Sequence, residues 1–234
     1  VIVVVGSRHD EAAREIVSRW AAHDAALLSC EDLSAAGWRH LLFDPSRSRA
    51  VVSGRVVPER DIRGVIVRRP WILEQELVHI AADDREYVAA EMNAFLVSWL
   101  SHLSCRVLNR PAGASLCGPN WRRQQWALAA GMAGMIVGPM RWEVPVADRP
   151  GADLGTIEST KPTRLVVLGD QCIGAYDEGI GQAARRLALI AGTDLLSVEL
   201  SNGGTAARFL DANPMPGIGE PAVADAVLGY LLSN

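Results

Sequence analysis

Lysine is all but absent from this 234-residue chain: Lys161 is the only one among 23 basic residues. A protein built this way must grip anions with arginine, whose planar fork matches carboxylate and phosphate. Aromatic residues make up only 6% of the chain, and acidic residues outnumber basic ones to leave a net charge of -4. That balance gives no bulk electrostatic reason to bind nucleic acid. Cysteine is scarce too. Cys30, Cys105, Cys117 and Cys172 form no Cys-x-x-Cys pair, which indicates neither a zinc site nor a disulfide framework and fits reduced thiols in a cytoplasmic protein. No apolar run is long enough to span a bilayer, and VIVVVGSRHDEAARE turns acidic too soon for a signal peptide. A Gly-rich phosphate loop and internal repeats are also missing. These absences leave a cytoplasmic globular protein with no nucleic-acid and no membrane partner expected.

What is present is apolar and regularly punctuated. Hydrophobic residues make up 49% of the chain, enough for one large or two small cores. VIVVV at the start and GVIVRRP at 64–70 are continuous, mostly β-branched runs, the pattern of strands buried on both faces of a parallel sheet. AALLSC reads as a further strand, as does RHLLFD; AVVSGRVV reads as a hairpin turning at Ser53-Gly54, and RVLNRP as a strand halted by proline. Asp10 is placed to cap a helix through about Ala22. The spacing of Val88, Met92, Phe95, Trp99 and Leu103 predicts a helix from Asp84 to Ser104. PAGASLCGPN, rich in Gly and Pro, then suggests a boundary between a first half over 1–112 and a second over 113–234.

In the second half, Asn120 is placed to cap the helix WRRQQWALAA, with Gly131 as its left-handed terminator. Trp121 and Trp126 would then point in different directions and make no aromatic cage. Residues 138–163 carry little apolar pattern and read as a short connection. RLVVLGDQCIGAY is a hairpin with Gly169-Asp170 at its tip, and Glu178 to Ala191 a helix ended by Gly192. LLSVELS and ARFLDAN form a second hairpin, and PAVADAVLGYLL a closing helix. The fold class is α/β: a parallel sheet with flanking helices, then an α+β half.

RFLDANPMPGIGE, from Arg208 to Glu220, is the stretch with the most pointed chemistry. In a strand, Asp211 and Asn213 project from the same face, and Pro214 and Pro216 then end the ladder. The plain reading is a strand end before an Asn-Pro turn; the chemical reading is a pair of oxygen ligands for a hard cation such as Mg2+. Arg68 and Arg69 at the end of GVIVRRP are candidates for an anionic substrate or peptide acid, with a solvated strand end as the plain alternative.

The order of these motifs carries a resemblance. GVIVRRP, a long helix containing Glu91, RVLNRP and a helix ending ALAAGM resemble the opening half of ATP-grasp proteins. The branch they look most like is the glutathione-synthetase-like ligases that modify ribosomal peptides, the graspetide maturases. The strand-Gly-Asp-strand hairpin, a helix, an acidic strand and an acid-x-Asn-Pro ending follow in the superfamily's order. The resemblance implies a pre-ATP-grasp-like domain over 1–112 and an ATP-grasp-like domain over 113–234. It implies ATP-dependent joining of a carboxylate to an amine through an acyl phosphate, with ATP and Mg2+ as cofactors. Mapped onto this chain, Glu199, Asp211 and Asn213 take the metal-ligand positions, Asp211 standing where the family has Glu.

The departures shape the functional expectation. In NWRRQQ, Trp121 or Arg122 stands where the family has a phosphate-binding lysine, and the span between Met140 and Arg164 is too short for a full lid of strands. Glu158 in TIEST falls at the acidic position of the adenine hinge, and Lys161 follows it. The first expectation is therefore a degenerate, lid-deficient ATP-grasp-like protein acting as a non-catalytic binding or scaffold partner for a peptide or a full-length ATP-grasp protein, with ATP binding not expected. The alternative is an ATP- and Mg2+-dependent carboxylate-amine ligase with a reduced lid and arginines in place of lysines. A homodimer is compatible with either.

Overall fold

The first half builds a parallel sheet because its apolar runs are short, β-branched and separated by helices. In the computed structural model, which describes residues 1–113, 115–138, 162–201 and 207–233, its elements run in chain order. They are β1 (Ile2–Val5), α1 (Glu11–Arg19), β2 (Ala25–Leu28), α2 (Cys30–Leu33), β3 (Arg49–Val52), β4 (Arg55–Pro58), β5 (Gly64–Val67), α3 (Arg85–His102) and β6 (Arg106–Leu108). The sheet order is β2-β1-β5-β6, all parallel, while β3 and β4 pair as a separate hairpin. Every residue of β1 and β5 is buried, as their sequences require. Asp10 caps α1 by accepting from the Ala12 and Ala13 amides at 3.0 and 3.2 Å.

The second half runs through α4 (Arg123–Met132), β7 (Ile136–Val137), β8 (Thr163–Leu168), β9 (Gln171–Ile173), α5 (Glu178–Ala191), β10 (Leu195–Leu200), β11 (Arg208–Asn213) and α6 (Pro221–Leu232). Its sheet has the order β7-β11-β10-β8-β9, antiparallel except for the β11–β7 pair. Helix α5 is capped by Asp177, whose carboxylate accepts from the Gly179 and Ile180 amides, and ends at Gly192 in the left-handed conformation (φ 64°). Leu165, Val167, Leu196, Val198 and Phe209 turn one sheet face into a core with Trp126 of α4 and Leu187 of α5. That leaves the alternate positions, Arg164, Glu199 and Asp211, on the opposite face.

The two sheets are joined by apolar packing and by arginine. Helix α6 returns to the first sheet so closely that a Cβ on Gly64 would lie 2.9 Å from the Leu231 Cβ. A shared cluster runs from Ile2, Val4 and Ile66 to Val166, Leu168 and Val227. Asn109, at the end of β6 and only 2% exposed, makes four hydrogen bonds into the second half. Its Nδ2 donates to the Leu195 and Pro214 carbonyls, both at 2.7 Å; its Oδ1 accepts from the Asp194 and Leu195 amides at 3.0 and 2.8 Å. Arginines then clasp the loop after β11: Arg68 donates to the Pro216 carbonyl, Arg164 to that of Gly217 and Arg19 to that of Gly219.

Three local expectations are corrected. RHLLFD is not a strand: it contributes one bridge, Arg39 to Arg49, and Phe43 is 99% exposed, so its apolar residues have no sheet face to enter. Helix α4 begins one residue beyond Arg122, not at Asn120, because Gln125 turns back to accept from the Arg122 amide at 2.9 Å. Gly131 lies inside that helix. The left-handed residue is Gly134 (φ 88°), and Arg186 donates to the Ala133 carbonyl left open at the helix end. The expected lidless connection falls mostly on 139–161, outside the described residues. No described helix is long and apolar enough to cross a membrane.

One partly buried acid, Glu59, gives the first half a pH response. Trp99 Nε1 donates to Glu59 Oε1 at 2.9 Å, His40 Nδ1 lies 3.6 Å from the same oxygen, and His102 and the Cys105 thiol are close enough to feel its charge. Burial pushes the Glu59 carboxyl above the ordinary value of 4.5, against the pull of His40 and the Trp99 hydrogen bond. The native state thus keeps this proton to higher pH than the unfolded chain, so stability falls as pH rises from about 4.5 through the folded value. Glu59→Gln keeps an acceptor for Trp99 and removes the titration. Urea unfolding between about pH 4.5 and 7 is expected to show a flatter dependence in the variant, and an unchanged slope would assign the response elsewhere.

Candidate functional site

Strand register assembles the site. Across the β10–β11 pair Glu199 faces Asp211 and Ser197 faces Asn213; across β10–β8 Arg164 faces Glu199. Directly opposed residues share a sheet face, so Arg164, Glu199 and Asp211 form one row over three strands. The ladder shifts at the next position, where Leu200 pairs with Phe209. The extra residue, Leu210, is what lets Phe209 point into the core while Asp211 points out. Arg164, Ser197, Glu199, Asp211, Asn213 and Gly217 line one pocket of about 180 Å3.

Backbone groups orient two of these side chains. Asp211 Oδ1 accepts from the Ala212 amide at 2.9 Å, and Asn213 Oδ1 from the Met215 amide at 2.8 Å, the Asx geometry that the following prolines favour. Each oxygen keeps a lone pair directed elsewhere. Two carboxylates and an amide oxygen are hard donors of the kind Mg2+ takes, with most of its shell left for water or phosphate. Among the described residues no three His, Cys, Asp or Glu side chains cluster to hold a metal, so a cation here would rely on Asn213 as third ligand. Arg164, held by the Gly217 carbonyl at 2.9 Å, puts a guanidinium beside these carboxylates. That arrangement suits an anion accompanied by its own cation.

The other sequence candidates lie apart. Arg122 is exposed at the start of α4 and does not line the acidic pocket. Arg69 is buried, its Nε donating to the Trp71 carbonyl at 3.0 Å and its Nη2 paired with Glu76. Arg68 is 9% exposed; beyond its bond to the Pro216 carbonyl, its Nε has no partner among the described residues, and desolvation lowers its pKa. Glu158 and Lys161 lie outside the described residues. Sequence reasoning missed Arg164, whose only signal is the pairing of hairpin β8–β9 against β10. It also set aside the tryptophans: Trp121 precedes α4 instead of riding on it, so its ring meets that of Trp126 at 4.8 Å, edge to face.

The whole architecture has solved counterparts. The macrocyclase MdnB from Microcystis aeruginosa MRC superposes with a TM-score of 0.66 at 13% identity, over 100% of this chain and 99% of that one. The ATP-grasp ligase PsnB, solved with a minimal precursor, Mg and ADP, gives 0.64 at 15% identity over 98% of both chains. The chain has an ATP-grasp-like fold. The macrocyclase MdnC from the same Microcystis strain, bound with precursor peptide MdnA, gives 0.62 at 12% identity over 99% of each chain. No protein-family model matches the sequence, and no curated protein matches it. In the ATP-grasp-like fold the row Arg164–Glu199–Asp211 lies on the sheet face turned away from α4 and α5.

Proposed function

We propose that the protein is an ATP- and Mg2+-dependent ligase that joins a carboxylate to an amine on a peptide, working in the cytoplasm. We further propose that it is divided into a pre-ATP-grasp-like domain over 1–112 and an ATP-grasp-like domain over 113–234. The observation that carries this reading is the register that sets Glu199 against Asp211, with Asn213 and Arg164 in the same pocket. Glu199, Asp211 and Asn213 would hold Mg2+, which would supply charge neutralisation for the phosphates. Arg164 binds the anionic group being activated. The substrate carboxylate takes the γ-phosphoryl group, releasing ADP; the amine then displaces phosphate and loses its proton as the amide forms. The precursor peptides in the MdnC and PsnB structures support a peptide as the substrate class.

A second reading keeps the same site without turnover: a non-catalytic partner of a peptide or of a full-length ATP-grasp protein. The exposed position of Arg122, away from the acidic pocket, favours it, because the phosphate grip expected there is not assembled. Phosphate release separates the two. With ATP, Mg2+ and a peptide rich in Asp, Glu and Lys, the ligase reading expects release that Glu199→Gln reduces by roughly 100-fold, the size of effect seen when one charge-stabilising group is lost. Peptide-independent background equal in protein and variant would leave the partner reading.

A further inference from the structure

The acidic pocket has a basic counterpart at the other edge of the first sheet. Strands β5 and β6 begin there side by side, with Gly64 in register with Arg106, while their far ends carry Arg68 and Asn109 toward the second half. Arg63 precedes Gly64, and Arg60 lies one short turn earlier. All three arginines line one pocket of about 500 Å3, together with the hydroxyl-bearing Ser104 and Ser233. Among the described residues no carboxylate lines it. Cys105 does, but burial pushes its thiol up to about 11, so it brings no charge at neutral pH.

Fold stability accounts for only part of this cluster. Arg106 donates from Nη1 to the Tyr230 carbonyl at 3.1 Å, with its guanidinium 4.2 Å from the centre of that ring, which serves the end of α6. Arg63 donates from Nη2 to the His23 carbonyl at 3.0 Å, and Arg60 Nε lies 3.9 Å from Asp61 Oδ1, beyond hydrogen-bond range. Most of each fork is therefore unspent among the described residues. Three like charges around one space repel, and an anion relieves them. The floor sets the rest of the occupant's chemistry: Ile62 and Leu231 are buried and apolar, and Leu231 lies against Gly64. The volume falls in the range of organic ligands, well above that of a bare phosphate.

We propose that this pocket binds a multiply charged organic oxyanion, a phosphate ester or a dicarboxylate, with its charge on the three arginines and its apolar body on Ile62 and Leu231. The site stands apart from the proposed ligase chemistry and needs no divalent cation. The full chain, isotope-labelled on arginine, is titrated in EDTA with phenyl phosphate and separately with phthalate, and the side-chain Nε–H resonances are followed by NMR. Those of Arg60, Arg63 and Arg106, assigned from single Arg→Gln variants, are expected to shift saturably, with a dissociation constant on the order of 1 mM for so small a ligand. The tighter of the two probes names the charged group, phosphoryl or carboxylate, and either upholds the site.

Arg60→Gln and Arg63→Gln are each expected to weaken binding about tenfold, through loss of a charge-assisted hydrogen bond. Arg47→Gln, at an exposed arginine outside the pocket, is expected to leave it unchanged. Benzyl alcohol has the ring without the charge, and inorganic phosphate the charge without the ring. Each is expected to bind at least about tenfold more weakly than the tighter probe. The proposal is overturned by the absence of a saturable shift with either probe, by binding indifferent to the Arg60 and Arg63 changes, or by a partial probe that matches the tighter one. Asp211→Ala is expected to leave the titration unchanged; a loss there would place the probe in the acidic pocket and overturn the assignment. Failure of the basic pocket leaves the ligase reading standing, since that reading depends on Mg-ATP.

Discussion

Calorimetric titration with ATP in excess Mg2+ is expected to give saturable binding in the micromolar range, and Asp211→Ala is expected to weaken it by about 10- to 100-fold. The reasoning starts from the β10–β11 register, which sets two carboxylates directly opposite one another at the rim of a single pocket. Left alone, such a pair is repulsive, and a shared cation relieves it. Loss of one charged contact costs roughly 1.5–3 kcal/mol, and ~1.4 kcal/mol is a decade of affinity. Asp211 is exposed, so the truncation leaves the core intact. Asp211→Glu lengthens the reach by one methylene and is expected to retain binding, and chelation of Mg2+ should mimic the alanine variant. A wild-type protein silent up to about 1 mM ATP, too weak for the mass action of a cellular nucleotide, would defeat the ligase reading and return the scaffold one.

Asn109→Ala is expected to be among the most destabilising single changes in the chain, at about 3–5 kcal/mol. The amide is buried and satisfied at both ends: two carbonyls accept from Nδ2 and two amides donate to Oδ1. Alanine leaves all four main-chain groups without that partner in a place water reaches poorly. Because those groups belong to the start of β10 and the turn after β11, the change also loosens the strands that carry Glu199 and Asp211. At ~2–4 °C per kcal/mol for a protein of this size, the melting temperature should fall by roughly 6–20 °C. Asn109→Asp should do no better, since it sets a carboxylate against the Leu195 and Pro214 carbonyls. A fall of under about 2 °C, within the range of ordinary surface substitutions, would mean that water replaces the amide.

Much of the fold was legible because its signals are local. Continuous β-branched runs such as VIVVV and GVIVRRP are buried strands, and Gly192 closes α5 where turn chemistry puts it. The same locality explains the misses. RHLLFD has strand-like composition, but whether Leu42 and Phe43 meet a sheet is decided by residues far away, and they do not. The start of α4 depended on Gln125 reaching back to Arg122, a contact that competes with the Asn120 cap. Asp211 and Asn213 were visible as a pair because strand period places them so; that Glu199 faces Asp211 follows once the hairpin is drawn. Arg164 required the register of a third strand, and the Trp121–Trp126 contact depended on where the helix began.

The arginine clasp on Pro216, Gly217 and Gly219 bears on how the protein can be engineered. Those contacts are made to main-chain oxygens, and Arg110 does the same at the end of α3, reaching the Leu100, Ser101, Leu103 and Cys105 carbonyls at once. A planar fork with five donors reaches divergent carbonyls that a single ammonium on a flexible stem cannot span together. Wholesale arginine-to-lysine recoding, a common step when amine handles are wanted for coupling to a surface or a dye, would therefore unpick the chain's connections even though every charge was conserved. Handles belong instead at arginines such as Arg47, which pairs with the exposed carboxylate of Asp44 and makes no side-chain bond to a carbonyl among the described residues.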